Sequence, residues 1–339
     1  MLKGALLGAG KIAQTGHLPA LTSARIAQRA QIVAAVEPSP ANRMALTQFY
    51  PQVHFYESFH QLLTQEKIDF INICTPPQLH AEMIELAARN GLAILCEKPF
   101  CINAETAHRL QQLLVKEKRV FVPCHQYRYS PIWENFKQAV AAGADVSPSY
   151  LQFQVFRLQA DQGFNHANPS WRTDMQSSGG GILADTGVHY LYLIRWMLGS
   201  AWRVSARTFQ IRHHEYGVED TVTAWIECPR GMAELTLTWA ADGRHNSARL
   251  FNQSCSLIYD GASMHRIFLG ESEDIPVPDA SDKSHYISYY ISLFEEFFEA
   301  VENNLSTEEW IAEAVESTEV LEACYRSAQT GQTVVIKER

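Results

Sequence analysis

The sequence predicts an α/β protein of two domains. A doubly wound domain on a parallel sheet occupies residues 1–124, and a second, mixed α/β domain with antiparallel strands occupies residues 125–339. Three observations predict this. A glycine-rich turn follows an apolar strand at the start of the chain. Short apolar strands and helical patterns alternate through the first third. After about residue 124 the strands instead alternate apolar and polar residues with period two.

The first strand, Ala5 to Leu7, runs into Gly8-Ala9-Gly10-Lys11-Ile12-Ala13, a G-x-G-x-x-A turn with a helix expected from Ile12. Gly8 can make the tight turn, Gly10 lets backbone approach a pyrophosphate, and Ala13 allows close strand–helix packing. The helix start, around Lys11 and Ile12, offers free N–H groups and a positive dipole end. A second strand, Gln31 to Val36, ends at Glu37. A carboxylate there can accept bonds from ribose hydroxyls and repel a 2′-phosphate, which favours NAD over NADP. Arg43, a little further on, could reach a phosphate. Pro38 and Pro40 stiffen the turn between them.

Asp69 to Cys74 reads as a buried strand stopped by Thr75-Pro76-Pro77. A helix should follow, with Leu79, Met83, Leu86 and Ala87 on one face and Gly91 past its end. The strand Ala93 to Cys96 ends abruptly in Glu97-Lys98-Pro99. Asn103 should cap a helix with Ala107, Leu110 and Leu114 inside, and Val120 to Pro123 is a further strand. Ligands bind beyond the carboxyl ends of such strands, so Thr75, Glu97, Lys98 and His125 should meet in one crevice.

In the second domain Leu151 to Val155 alternates, and Glu234 to Trp239 should pair with Thr221 to Cys228 across Pro229-Arg230-Gly231. Phe153, Val155, Leu235 and Leu237 are expected to line an open sheet face that joins copies of the chain. Ser306-Thr307-Glu308-Glu309 has the form of a capping box, with Leu305 and Trp310 as a staple. That helix, and one from about Tyr286 to Glu302, should pack back on the first domain.

The segment Gly179-Gly180-Gly181-Ile182-Leu183-Ala184-Asp185-Thr186-Gly187-Val188-His189 carries the second chemical signal. Three glycines let backbone pass close to a flat ring or a ligand. Asp185 and His189, four apart, share a helix face. A histidine can take the proton of an alcohol whose carbon gives up hydride, and a nearby carboxylate can orient a polyol. On spacing alone, a surface ion pair explains the same two residues. A metal pair would lack a third ligand at recognisable spacing.

The balance of 28 basic and 37 acidic residues gives a net charge of −9 with no basic stripe, which argues against nucleic acid and anionic membrane as partners. Seven cysteines without C-x-x-C spacing fit a reducing cytoplasm. No apolar run approaches the roughly 20 residues needed to span a bilayer, and no signal peptide is expected.

These motifs together resemble the glucose-fructose oxidoreductase / inositol dehydrogenase / MocA (Gfo/Idh/MocA) family over nearly the whole chain. The telling matches are Thr75-Pro76-Pro77 followed by His80, the triplet Glu97-Lys98-Pro99, and Gly179-Gly180-Gly181 with Asp185 and His189. Tyr127-Arg128-Tyr129-Ser130-Pro131, Trp171-Arg172 and the tail from Tyr325 to Gly331 also match. The resemblance implies an N-terminal Rossmann domain and a C-terminal domain with a large open, mostly antiparallel sheet that forms dimers or tetramers. It implies hydride exchange between NAD, or NADP, and a hydroxyl or carbonyl of a sugar, cyclitol or related polyol. Carried over by position, Lys98 lies between nicotinamide and substrate, Asp185 binds a substrate hydroxyl and His189 is the acid/base. Glu97 lies near the nicotinamide ribose, and His80, Thr75 and Pro76 lie beside the cofactor. Arg128, Trp171 and Arg172 contact substrate.

Two positions depart from the family pattern. Many members carry aspartate three residues after the histidine, where this chain has Tyr192, and Glu37 replaces the more usual aspartate. Two other readings stand beside the dehydrogenase: glycoside cleavage by transient oxidation with held NAD, and a non-enzymatic NAD or sugar sensor. Substrate choice is expected to lie in loops such as Gln159 to Asp174.

Overall fold

A computed structural model describes residues 1–143, 147–163, 170–277 and 286–338. The chain forms two compact units. The first comprises Met1–Gln126, Gln162–Trp171 and Tyr286–Val315; the second comprises Tyr127–Asp161, Arg172–His285 and Glu316–Arg339.

Six parallel strands build the first unit: β1 (Leu2–Leu7), β2 (Ala30–Val36), β3 (His54–Tyr56), β4 (Phe70–Ile73), β5 (Ala93–Cys96) and β6 (Phe121–Pro123). Their order is β3-β2-β1-β4-β5-β6, so the direction of winding reverses between β1 and β4. Strands β4, β5 and β6 are buried along their whole length, as expected of a sheet covered on both faces. The helix Tyr286–Glu302 belongs to this unit and buries an aromatic row. Phe297 and Phe298 meet Phe70 edge-on, with ring centroids 5.7 and 5.2 Å away.

The helix Ala104–Lys116 is capped by Asn103, whose side chain accepts from Thr106 N at 2.8 Å, and it buries Ala107, Leu110 and Leu114 as expected. The helix His80–Arg89 turns inward a face centred about one residue on from the expected one, with Ala87 buried and Met83 and Leu86 still packed against the core. It buries His80, Ile84, Ala87 and Ala88, while Leu79 is exposed and Met83 and Leu86 are half-buried. The 3-10 turn Pro77–Leu79 delays the helix start and shifts that face. Two helices and one strand were not foreseen. Ser39 caps Pro40–Phe49 and Ser58 caps Phe59–Gln65, each by accepting a backbone N–H, and β3 lies between them. Ser39-Pro40 is a helix-start signal in its own right.

Nine strands build the second unit: β7 (Ser149–Phe156), β8 (Arg203–Phe209), β9 (Thr221–Cys228), β10 (Gly231–Thr238), β11 (His245–Phe251), β12 (Cys255–Tyr259), β13 (Met264–Phe268), β14 (Glu271–Ile275) and β15 (Val334–Val335). The order is β14-β13-β12-β11-β7-β10-β9-β8-β15, antiparallel except where β7 and β10 run parallel. The hairpin of β9 and β10 has the expected register, Cys228 opposite Gly231 and Thr221 opposite Thr238.

One expectation about this sheet is overturned. Phe153, Val155, Leu235 and Leu237 are fully buried in the core, not on an open face. The ring of Phe153 packs on Tyr190 and Trp133, which the helices Val188–Leu198 and Pro131–Gly143 lay over that side. Period two then sends Tyr150, Gln152, Trp225, Glu234, Arg249 and Phe251 to the opposite face, where Trp225 and Phe251 are exposed.

The last long helix, Glu308–Thr330, is entered differently from the expected box. The Ser306 hydroxyl accepts from Glu308 N at 3.5 Å, while the Thr307 hydroxyl accepts from Phe121 N at 3.0 Å and so ties the helix start to β6. Leu305 remains about half exposed. No helix among the described residues is long and apolar enough to cross a membrane.

Candidate active site

In the first unit, the glycine turn lies at the carboxyl edge of the sheet where the strand order reverses. Gly8 has φ +86°, and a Cβ there would meet the Cys74 carbonyl at 2.9 Å, so this position requires glycine. A Cβ on Gly10 would meet nothing within 4 Å. Open space over Gly10, directly before the helix that starts at residue 11, leaves room that a phosphate would fit. Within that helix Ala13–His17 forms a wider π turn.

Glu37 ends β2 as expected, but its carboxylate is buried. It accepts from Ala9 N at 2.6 Å and from Ser39 N at 2.8 Å, clasping the glycine turn to the next helix. Each oxygen keeps a second lone pair for a ribose hydroxyl. Arg43 donates to the Glu37 carbonyl and sits 5.4 Å over the Phe55 ring.

The residues beyond β4, β5 and β6 join a buried polar chain. Glu97 Oε1 accepts from His17 Nε2 at 2.9 Å and from the Tyr290 hydroxyl at 2.8 Å, and Oε2 accepts from Lys98 N at 3.1 Å. Asn72 Nδ2 lies 3.0 Å from His17 Nδ1, on the far side of the ring from Glu97. Burial alone would raise the Glu97 carboxyl. Its bond and charge interaction with His17, the Lys98 ammonium and the Tyr290 hydroxyl outweigh burial and hold it below the usual carboxylate range. Glu97, expected at the nicotinamide ribose, is thus enclosed by protein donors and fixes the strand end that presents half-buried Lys98.

His80 is also enclosed. Its ring nitrogens lie 2.9 Å from the Pro99 carbonyl and 2.8 Å from the Thr75 carbonyl, so it staples the end of β4 to the loop after β5. Burial lowers its pKa, against the pull of those two acceptors. Thr75 gives its hydroxyl to Met83 Sδ, and Pro76 precedes the 3-10 turn. His125 is buried with Nδ1 2.6 Å from Glu313.

His17, Glu97 and Cys124 bring three ligand-type atoms within 4.8 Å of one another. The first two are already bonded to each other, and burial pushes the Cys124 thiol well up, away from the thiolate a metal needs.

In the second unit, Leu183–Gly187 is another π turn and runs into the helix Val188–Leu198. His189 is buried there, which removes the surface ion pair as an account of it. Its ring stacks on Tyr127 at 4.1 Å and 12°, and Nδ1 lies 3.1 Å from the Tyr192 hydroxyl. That hydroxyl also accepts from Tyr127 N at 3.0 Å. Asp185 takes Arg172 Nε on Oδ1 at 3.0 Å and the Thr186 hydroxyl on Oδ2 at 3.2 Å. Arg172 also reaches the Asp161 carbonyl, and Trp171 and Arg172 open the 3-10 turn Trp171–Thr173. Arg128 lies 5.5 Å over the Trp196 ring. Of the expected specificity loop, residues 164–169 lie outside the described residues.

The triple glycine passes close to a flat ring, as expected. A Cβ on Gly180 would fall 1.9 Å from the Tyr325 hydroxyl, and one on Gly181 would fall 1.9 Å from the Glu219 carbonyl. The flat ring it admits is the chain's own Tyr325. Glu219 accepts from Gly181 N, Leu183 N and the Tyr325 hydroxyl, and so caps the helix that carries Asp185 and His189. Burial raises the Glu219 carboxyl despite those donors. Glu219, His17 and Tyr290 carry no signal of their own in the sequence: each is a polar residue in a loop or beside an apolar run.

Family models match both parts of the chain. Residues 2–125 match an oxidoreductase family with an NAD-binding Rossmann fold, and residues 135–258 match the GFO/IDH/MocA C-terminal domain. The chain belongs to the GFO/IDH/MocA family. Among relatives, a D-apiose dehydrogenase of Paraburkholderia graminis is 25% identical over 236 residues, 69% of this chain and 59% of its own length. A D-xylose 1-dehydrogenase (NADP(+)) of Haloferax volcanii is 24% identical over 347 residues, 97% of this chain and 98% of its own. In fold, this GFO/IDH/MocA chain is similar to an oxidoreductase of Agrobacterium radiobacter solved with NAD+, L-tartaric acid and magnesium. That structure has a TM-score of 0.85 at 18% identity, covering 99% of this chain and 98% of the other.

Proposed function

We propose that this chain transfers a hydride reversibly between a nicotinamide dinucleotide, NAD in preference to NADP, and a hydroxyl or carbonyl carbon of a sugar, cyclitol or related polyol. The observation that carries the reading is the setting of His189. Its imidazole is buried, stacked on Tyr127 and held at Nδ1 by Tyr192, four residues from a carboxylate that Arg172 fixes. A ring held at Nδ1 exchanges protons through Nε2.

Gly8, Gly10 and the helix start at Lys11 and Ile12 would hold the pyrophosphate, and Glu37 the adenosine ribose. The bound dinucleotide supplies the hydride acceptor or donor. The residues supply the rest. His189 takes the hydroxyl proton in the oxidising direction and returns it in the other. Lys98, as ammonium, stabilises charge on the reacting oxygen. Asp185 accepts a neighbouring hydroxyl of the substrate, and Arg128, Trp171 and Arg172 complete the substrate contacts. The sugar dehydrogenases among the relatives support this substrate class.

Seven free, buried cysteines favour a reducing cytoplasm. The outward sheet face with Trp225 and Phe251 favours a homo-oligomer.

The test is a screen of sugars, sugar acids, sugar phosphates and cyclitols for a change in nicotinamide absorbance with NAD and with NADP. Binding of neither dinucleotide by calorimetry, and no turnover, would remove the assignment.

A further inference from the structure

Gln126 stands just past β6, at the carboxyl edge of the first unit's sheet, and is buried. Its Nε2 donates to the Tyr290 hydroxyl at 3.0 Å, while its Oε1 is buried with no hydrogen-bond partner among the described residues. The orientation of this amide is fixed by what lies behind it. Glu97 is a carboxylate and can only accept, so the Tyr290 hydroxyl must give its proton to Glu97. Burial and the Glu97 charge hold the Tyr290 phenol well above its ordinary pKa, so the proton stays available. The oxygen of Tyr290 is then left as an acceptor, and only the NH2 end of Gln126 satisfies it. Flipping the amide would set its oxygen against an oxygen that has no proton to give. Oε1 is therefore an acceptor held in one place and waiting for a donor. A buried acceptor without a donor is costly, and native structures keep few of them.

We infer that Gln126 Oε1 accepts an N–H of the nicotinamide carboxamide. The inference rests on the proposed dinucleotide chemistry. Gln126, Tyr290 and Glu97 all belong to the dinucleotide-binding unit, and strands β5 and β6 are neighbours, so Gln126 and Lys98 lie just beyond adjacent strand ends. Ligands of such sheets meet the chain at these ends. The carboxamide is the group that brings an amide donor to the reactive end of the dinucleotide. Solvent does not reach Oε1, so the donor arrives only with a small movement of the side chains around it. Gln126 is thus a positioning and specificity residue: it fixes the rotation of the carboxamide, and the buried chain back to Glu97 keeps it from turning away.

The experiment compares NAD with its 3-acetylpyridine analogue, in which a methyl ketone replaces the carboxamide and no N–H remains. Dissociation constants are measured by calorimetry on the full chain without substrate, so turnover plays no part. A site that hydrogen-bonds a group discriminates strongly against the analogue lacking it. The wild type is expected to bind NAD about 10- to 100-fold more tightly than the analogue. Gln126→Met, similar in volume and with no amide, should bring the two within about threefold of each other, chiefly by weakening NAD.

Equal affinities in the wild type overturn the inference without recourse to any variant, and so does discrimination that survives in Gln126→Met. Failure of the wild type to bind NAD at all would overturn the functional reading as well, whereas NAD binding without discrimination overturns this inference alone. Should Gln126→Met not fold, Tyr290→Phe gives the second reading. It frees the amide to turn, and it should narrow the preference for NAD; an unchanged preference counts against the inference.

Discussion

His189 Nδ1 lies 3.1 Å from the hydroxyl of Tyr192, and that hydroxyl also accepts the Tyr127 N–H. Where many members of the family place a carboxylate three residues after the histidine, this chain places a neutral hydroxyl that is itself anchored. His189→Ala should lower turnover about 100- to 10,000-fold and remove the acidic limb of the pH profile for alcohol oxidation. Tyr192→Phe should cost less in turnover but lower stability by about 0.5–1.5 kcal/mol, because the part-buried Tyr127 N–H loses its acceptor. Steady-state rates against pH, paired with thermal melts, separate the two. Wild-type turnover in His189→Ala would refute the acid/base role.

Lys98→Ala should keep the fold and dinucleotide binding yet reduce turnover about 100- to 1000-fold, the usual effect of deleting one preorganised donor to a developing oxyanion. The backbone N–H of Lys98, which Glu97 holds, is retained in the variant. An unchanged rate with a raised KM would instead make Lys98 a binding residue only.

NAD should bind more tightly than NADP. A 2′-phosphate would have to lie against the buried carboxylate of Glu37, which is already bonded to Ala9 N and Ser39 N. Calorimetric titration of both dinucleotides decides it. Equal or tighter NADP binding would transfer the role to Arg43.

Light scattering at micromolar concentration should show a species larger than the 38.3 kDa chain. Trp225→Glu should reduce it to the single chain, because Trp225 is 45% exposed on the outward sheet face. The same substitution at Phe153 would test nothing about assembly, since Phe153 is in the core. A single chain in the wild type would contradict the proposal.

Gly181→Ala should be poorly tolerated. Its Cβ would fall 1.9 Å from the Glu219 backbone carbonyl, which no side-chain rotation relieves. Overpacking of this kind costs about 1–3 kcal/mol or more. A melting temperature within error of wild type would show that the loop relaxes.

The alternating strands and helices of the first unit, the Asn103 cap and the β9–β10 hairpin were legible because each rests on a local signal: period, cap residue or turn. The site was legible only as a set of types. Lys98 and His189 stood out by motif, but which side of the second sheet faces the core did not. Period two marks two faces of Leu151–Val155 without saying which one helices will cover. The same limit applied to Glu97 and His80. Sequence placed Glu97 at a strand end and His80 just past Thr75-Pro76-Pro77, but only the structure shows Glu97 enclosed by His17 and Tyr290 and His80 held by the Pro99 and Thr75 carbonyls. Likewise, three glycines announce a close approach and leave the approaching group unnamed.

The π turn Leu183–Gly187 gives the site an evolutionary geometry of its own. A π turn holds one residue more than the α-helical turn it interrupts, and it is kept where a site uses it. Deleting Thr186 would allow an unbroken α-helix, a gain in local hydrogen bonding. It would also shorten the spacing between Asp185 and His189 from four residues to three, changing where Asp185 and its Arg172 partner lie against the imidazole. A shorter chain would have the better helix and the poorer catalyst. Single-residue deletion across 183–187, scored for melting temperature and turnover together, should therefore move the two in opposite directions.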